Sequence, residues 1–238
     1  MKGTLLYPDG NGVAAVYLPP EEKPVTAAVY CLMGHDFAET LEEVMTAVEP
    51  AFGKGCLPFG LALLSPESWD DDYTPWPAEM GGRHFGGQAD RFLERFLKEQ
   101  KPAIEQEYGW KNTPETTAVV GYSLGGLAAL YAFYQSGAFG RVGSASGSLW
   151  YPGWMDYMRA QTPARESVVY LSLGSKEEKT KNPWMAQVGD ATREAKAIFD
   201  RALIRPGRCT LEWNSGGHFS GIPARIEKML LRLMEESR

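Results

Sequence analysis

Apolar runs rich in β-branched residues recur along the chain at Val13 to Leu18, Val25 to Met33, Leu57 to Leu64, Thr117 to Gly121, Arg141 to Ala145, Val168 to Leu173 and Cys209 to Trp213, and each predicts a strand. Between them, apolar residues three to four apart predict helices over Glu39 to Val48, Gln88 to Tyr108, Leu124 to Gln135, Trp184 to Leu203 and Ile222 to Glu235. Strand and helix therefore alternate. The later strands are short and continuously apolar, as expected where crossover helices bury both faces of a parallel sheet. Only Pro19-Pro20-Glu21-Glu22-Lys23-Pro24 separates the first two runs, too little chain for a crossover helix, so the sheet is expected to start antiparallel. The stretches Ser65 to Arg83 and Ser175 to Asn182 read as loops within one series, and no repeat of about 20 to 50 residues is present, so one α/β domain over residues 1–238 is expected.

Composition narrows the function classes. With 44% hydrophobic residues, 12% aromatics and 23% charged residues in 238, the chain is neither disordered nor a coiled coil. A net charge of 24 − 30 = −6 and the lack of any Lys/Arg-rich run argue against nucleic acid or a membrane surface as partner and for a small molecule. The longest apolar runs are about half of the roughly 20 residues a bilayer span requires. The opening MKGTLLYPDGNG lacks the apolar core of a secretory signal, and Cys31, Cys56 and Cys209 lie in strand-like runs as buried thiols would. A cytoplasmic location is the expectation.

The chemistry begins at Gly121-Tyr122-Ser123-Leu124-Gly125, which follows a strand-like run and precedes the Ala-rich helix pattern. A nucleophilic serine has to be thrust from a sharp strand-to-helix turn, and flanking glycines leave room for that backbone. By itself G-x-S-x-G is a weak signal in a chain with 26 glycines, and a serine capping an ordinary turn is the competing reading; the strand and helix on either side favour the nucleophile. The helix amino terminus behind it offers free N–H groups to an oxyanion, with Leu124 N–H as the first donor. A second donor is expected at the end of the run Val25 to Met33, where the backbone N–H of His35 follows Gly34.

A serine nucleophile needs a base, and the chain has three histidines, at 35, 84 and 218. His218, in Asn214-Ser215-Gly216-Gly217-His218-Phe219, lies between the last strand and the terminal helix, with paired glycines to turn the ring inward. It is the expected base; His35 and His84 read as packing or pocket residues. The carboxylate that orients it is expected after Val168 to Leu173, where Glu177, Glu178 and, further on, Asp190 compete. A solvated charge run would look the same.

At this point the chain resembles the putative esterase family of α/β-hydrolases, which holds enterochelin and other siderophore esterases, S-formylglutathione hydrolase, feruloyl esterase domains and mycolyltransferases. Beyond GYSLGG at Ser123 and GGHF at His218, the resemblance extends to Asp72-Tyr73-Thr74-Pro75-Trp76, to Phe92-Leu93 through Lys101-Pro102-Ala103-Ile104-Glu105 to Tyr108, and to Ser144 through Trp150. It is greatest to the short single-domain members described only as hydrolases. It implies an α/β-hydrolase fold and ester hydrolysis through an acyl-enzyme. The family places the acid three residues after a glycine that ends a strand, and Gly174 to Glu177 fits that spacing, which implies a Ser123, His218 and Glu177 triad. The chain departs from the family where Met33 precedes Gly34, a site at which many relatives carry Asp or His, and in lacking an arginine-rich surface for iron siderophores.

The segment Trp69 to Trp76, with Gly81 to Gly87 after it, is expected to wall the pocket on one side, and Trp150, Tyr151 and Trp154 on the other. Tyr122, Trp76, Trp150 and His84 are the substrate-binding candidates, although each aromatic could equally pack a loop onto the body. Asp70 to Asp72 lack metal-ligand spacing, and neither metal nor cofactor is expected. Two rivals remain: an acyltransferase, separable by product analysis with alcohol acceptors, and a binding protein that keeps the fold without the chemistry, separable by fluorophosphonate labelling.

Overall fold

The computed structural model describes residues 1–8, 10, 12–204 and 208–236. Its strands are β1 (Thr4–Leu6), β2 (Val13–Leu18), β3 (Ala27–Leu32), β4 (Phe59–Leu64), β5 (Ala78–Met80), β6 (Arg83–Phe85), β7 (Thr117–Tyr122), β8 (Arg141–Ala145), β9 (Val168–Gly174) and β10 (Cys209–Asn214). The helices are α1 (Ala38–Val48), α2 (Trp69–Asp72), α3 (Ala89–Arg95), α4 (Lys101–Tyr108), α5 (Leu124–Gln135), α6 (Trp154–Ala160), α7 (Val188–Ala202) and α8 (Ile222–Leu233).

One eight-stranded sheet runs β1-β2-β4-β3-β7-β8-β9-β10, with β5 and β6 forming a separate hairpin. From β4 onward the pairings are parallel, while β1 and β2 enter antiparallel, giving the α/β-hydrolase arrangement. The first two predicted strands do run in opposite directions, but they are not neighbours, because β4 inserts between them. Hairpin proximity therefore misjudges the partner: the fully buried β4 satisfies both edges at once.

Side chains alternate across the sheet as the pleat requires. Val29, Cys31, Leu61, Leu63, Ala118 and Val120 point into the core under α1 and α8, whereas Ala28, Tyr30, Ala62, Leu64 and Val119 point to the face covered by α3, α5 and α7. Gly143 lets α8 settle close on β8, since a Cβ there would crowd Met229.

Helix boundaries lie near those expected, with three departures. The predicted helix over Gln88 to Tyr108 is broken by a wider π turn at Phe96–Gln100, just before Pro102, whose nitrogen has no hydrogen to donate. The stretch expected as loop between Ser65 and Arg83 contains α2 and β5, and α6 was not predicted. Elements of three to seven residues carry too few periods to register in a hydrophobic pattern.

The chain leaves β3 toward β4 on one side and later returns to place β7 on the other. At such a reversal of strand order a crevice opens beyond the carboxyl ends of the two strands. Both segments of interest, the Gly34 turn after β3 and Ser123 after β7, emerge there.

Candidate active site

Ser123 sits between β7 and α5 with φ 57° and ψ −123°, a backbone state that costs a non-glycine residue about 1–3 kcal/mol. The surroundings hold it there. Its carbonyl accepts N–H bonds from Gly126, Leu127 and Ser148, and its own N–H donates to Ala145 O at 3.2 Å. A Cβ on Gly121 would overlap the Gly125 carbonyl, and one on Gly125 would overlap that of Leu32, so the glycines permit the tight turn and the close passage of α5 over β3.

His218 arrives from the loop after β10. Gly216 takes φ +93°, and the Tyr122 hydroxyl donates to the His218 carbonyl at 2.6 Å, tying the loop to β7. The imidazole Nε2 lies 3.0 Å from Ser123 Oγ, and Nδ1 lies 2.7 Å from Glu177 Oε2. A neutral ring that donates from Nδ1 to this carboxylate would present its Nε2 lone pair to the hydroxyl.

Glu177 follows the glycine that ends β9, and its side chain is 5% exposed. Its second oxygen, Oε1, accepts from Ser146 Oγ at 2.7 Å, the Gly174 N–H at 2.7 Å and Arg225 Nη1 at 2.9 Å. Burial pushes this carboxyl up, but the bonds from His218, Ser146 and Gly174 outweigh it and hold the group below the ordinary glutamate value. The competing carboxylates stand elsewhere: Glu178 binds Arg193 with both oxygens, and the exposed Asp190 binds Arg193 as well.

Two residues that the sequence reading did not single out belong to this cluster. Ser146 has φ 47°, the second non-glycine residue with positive φ among the described residues, and hydrogen-bonds Glu177. Arg225 is 2% exposed on α8. Its signal was a charged residue on the helix stripe that continues through Met229 and Leu233, four and eight positions on.

A cavity of about 670 Å³ opens over Ser123, Leu124, Tyr122 and His218. Its apolar lining includes Met33, Phe37, Trp69, Trp150, Met185 and Phe219, the last 87% exposed at the mouth. Its charged lining residues are Asp36 and Arg83, and Arg83 is engaged by Asp70.

The expected pocket residues divide. Tyr122 and Trp150 line the cavity; Trp76 and His84 do not. Trp76 instead donates from Nε1 to Pro152 O at 2.8 Å and packs on Trp154 and Tyr157, while His84 is exposed on the β5–β6 hairpin with Nδ1 2.6 Å from Glu79. Tyr151 and Trp154 are core residues, not an opposite wall.

Leu124 opens α5, so its N–H belongs to the first-turn donors that a helix leaves unbonded. Gly34, Asp36 and Phe37 line the cavity over Ser123, whereas His35 lines a different one with Glu67 and Arg95. Gly34 itself has φ −67°, a conformation open to any residue.

Asp70 is spent on Arg83, Asp71 on Ser68 Oγ, and Asp72 on the N–H groups of Glu67 and Ser68. Among the described residues no group of three or more His, Cys, Asp or Glu is placed to hold a metal, and no helix is long and apolar enough to cross a membrane.

The sequence family described as Putative esterase matches residues 9–218. The uncharacterized protein YbbA of Bacillus subtilis (strain 168) is 30% identical over 188 residues, covering 76% of this chain and 75% of that protein. Among solved structures, the siderophore hydrolase EstA from Aspergillus nidulans superposes with a TM-score of 0.70 at 19% identity, over 97% of this chain and 93% of that one. An IroE-like serine hydrolase from Shewanella oneidensis gives 0.73 at 16% identity, over 98% and 80%. At such identities the structural likeness is one of fold.

Proposed function

The chain belongs to the Putative esterase family, and from that premise we propose that it is a serine carboxylic-ester hydrolase whose nucleophile is Ser123, whose base is His218 and whose orienting acid is Glu177. The observation that carries this reading is the unbroken line of hydrogen bonds from Ser123 Oγ through His218 to Glu177, at 3.0 and 2.7 Å. As Ser123 Oγ attacks the ester carbonyl, its proton passes to His218 Nε2 and the carbonyl π electrons move onto oxygen. The N–H of Leu124, with that of His35 or its neighbour Asp36, would face the oxyanion; one such donor is worth about 3 kcal/mol. The oxyanion collapses, the C–O bond to the alcohol breaks, and His218 returns the proton to the departing oxygen. Water then enters, gives its proton to His218 and attacks the acyl-enzyme; the C–O bond to Ser123 breaks, and His218 returns the proton to Ser123 Oγ as the acid leaves.

The lining favours uncharged esters. Apolar and aromatic side chains dominate it, and its cation, Arg83, is already paired with Asp70. Acetyl, butyryl, octanoyl and feruloyl esters form the panel that ranks acyl groups. Ser123→Ala should keep the fold and lower turnover of a p-nitrophenyl ester about 10⁴-fold or more. Retained hydrolysis by that variant would exclude this role for Ser123.

A further inference from the structure

We propose that Arg225 is a positioning residue for this hydrolysis, clamping Glu177 and the His218 loop together and setting a fixed positive charge behind the carboxylate. The inference rests on the roles given above to Ser123, His218 and Glu177.

Arg225 lies on the buried face of α8, beside Ile226 and one turn before Met229. Burying a guanidinium is costly unless hydrogen bonds and an opposite charge compensate it. Here the site itself supplies them to both terminal nitrogens, while the buried Nε has no partner among the described residues. Nη1 is 2.9 Å from Glu177 Oε1, 2.7 Å from Ser146 Oγ and 2.9 Å from the Tyr122 hydroxyl. Nη2 donates to Gly217 O at 2.8 Å and to Ser215 O at 3.4 Å. One planar fork thus touches the ends of β7 and β8, the turn after β9 and the loop that carries His218. Gly174 keeps the space clear, since a Cβ there would stand 2.7 Å from both Arg225 Nη2 and Glu177 Oε1.

The contacts have two consequences. Glu177 is held at Oε1, which leaves Oε2 aimed at Nδ1; and the carbonyl of Gly217, the residue before His218, is fixed, which sets where the ring begins. The charge acts as well. The guanidinium against its far oxygen offsets part of the negative charge that the carboxylate presents to the ring. Ionisable groups on the neighbouring elements include Tyr122 from β7, Tyr170 from β9 bonded to Glu212 of β10, Lys228 of α8 bonded to the same Glu212, and Lys176, Glu178 and Lys179 in the turn of Glu177 itself; Asp36 and Arg83 line the same cavity as His218. None of these cations is ion-paired with Glu177, whose partners among the described residues are His218 and Arg225.

The test compares Arg225→Met, which keeps volume and loses charge and fork, with Arg225→Lys, which keeps charge and loses the fork. For each, the thermal midpoint and the pH profile of kcat/KM on a p-nitrophenyl ester are measured, with Ser123→Ala alongside. The Met variant is expected to lose about 10²-fold in kcat with little change in KM, as a small misplacement of catalytic groups does, and to move the acid limb of its profile to higher pH, because a positive charge beside the carboxylate is lost. The Lys variant should show reduced kcat with the acid limb near that of the parent. A folded Met variant with parental kcat and an unmoved acid limb, even with a lower thermal midpoint, would reduce Arg225 to a structural residue. If the Met variant does not fold, a Lys variant with parental kcat overturns the positioning role. An active Ser123→Ala protein would instead overturn the underlying hydrolase reading.

Discussion

Replacing Glu177 by glutamine changes one atom and is expected to reverse the direction of a proton. Three donors, Ser146 Oγ, Gly174 N–H and Arg225 Nη1, converge on Oε1 at 2.7–2.9 Å. A glutamine must keep its carbonyl oxygen there, because turning its NH₂ toward them would forfeit bonds worth about 1–3 kcal/mol each. The NH₂ then faces His218 Nδ1 and donates to it, so the ring proton is driven to Nε2, opposite Ser123 Oγ. A ring in that tautomer cannot accept the serine proton. The matching aspartate-to-asparagine exchange in serine proteases lowers kcat about 10⁴-fold, which at about 1.36 kcal/mol per decade is about 5 kcal/mol of barrier. Initial rates on a p-nitrophenyl ester, with circular dichroism as the check on folding, measure it. A stability signature accompanies the rate. Hydrogen bonds hold the folded Glu177 carboxyl below its unfolded value of about 4.3, so its contribution is present above that pH and is lost as pH falls through the folded value. The difference in thermal midpoint between parent and Glu177→Gln should therefore be full at neutral pH and close below about pH 4. A folded Glu177→Gln protein with kcat within about tenfold of the parent would refute the orienting role. Glu178→Gln, whose carboxylate is engaged by Arg193, should stay near parental activity.

Two further expectations test the scaffold and the pocket. Gly125→Ala forces a Cβ into the Leu32 carbonyl and should destabilise the fold by about 1–3 kcal/mol in urea titration, whereas an unchanged midpoint would mean that α5 does not pass β3 so closely. Trp150→Ala should alter KM or kcat/KM across the ester panel because Trp150 lines the cavity, while His84→Ala, on an exposed hairpin, should leave both within about twofold; the opposite ranking would move the substrate to the β5–β6 side.

What the residues announced in advance was local. The strand, serine and helix of Thr117 to Gln135 could be read because each element's period and the glycines between them lie within twenty positions, and the same holds for the paired glycines before His218. Aromatic content marked Trp69 to Trp76 as distinctive without telling which rings turn inward; packing sent Trp76 to Pro152 and left Trp69 at the cavity.

Separating Glu177 from Glu178 and Asp190 by the chain's own pattern was not possible, since adjacent carboxylates differ only in which way the turn after β9 presents them. Arg225 was hidden in a helix whose period alone made it look like a lapse in an apolar stripe. Both readings rest on contacts between residues 41, 48 and 95 positions apart, His218 with Glu177, Arg225 with Glu177 and His218 with Ser123. Periodicity along a chain records which face of an element is buried. Only the closing of the sheet, with strand order reversing at β3 and β7, determines which buried groups meet.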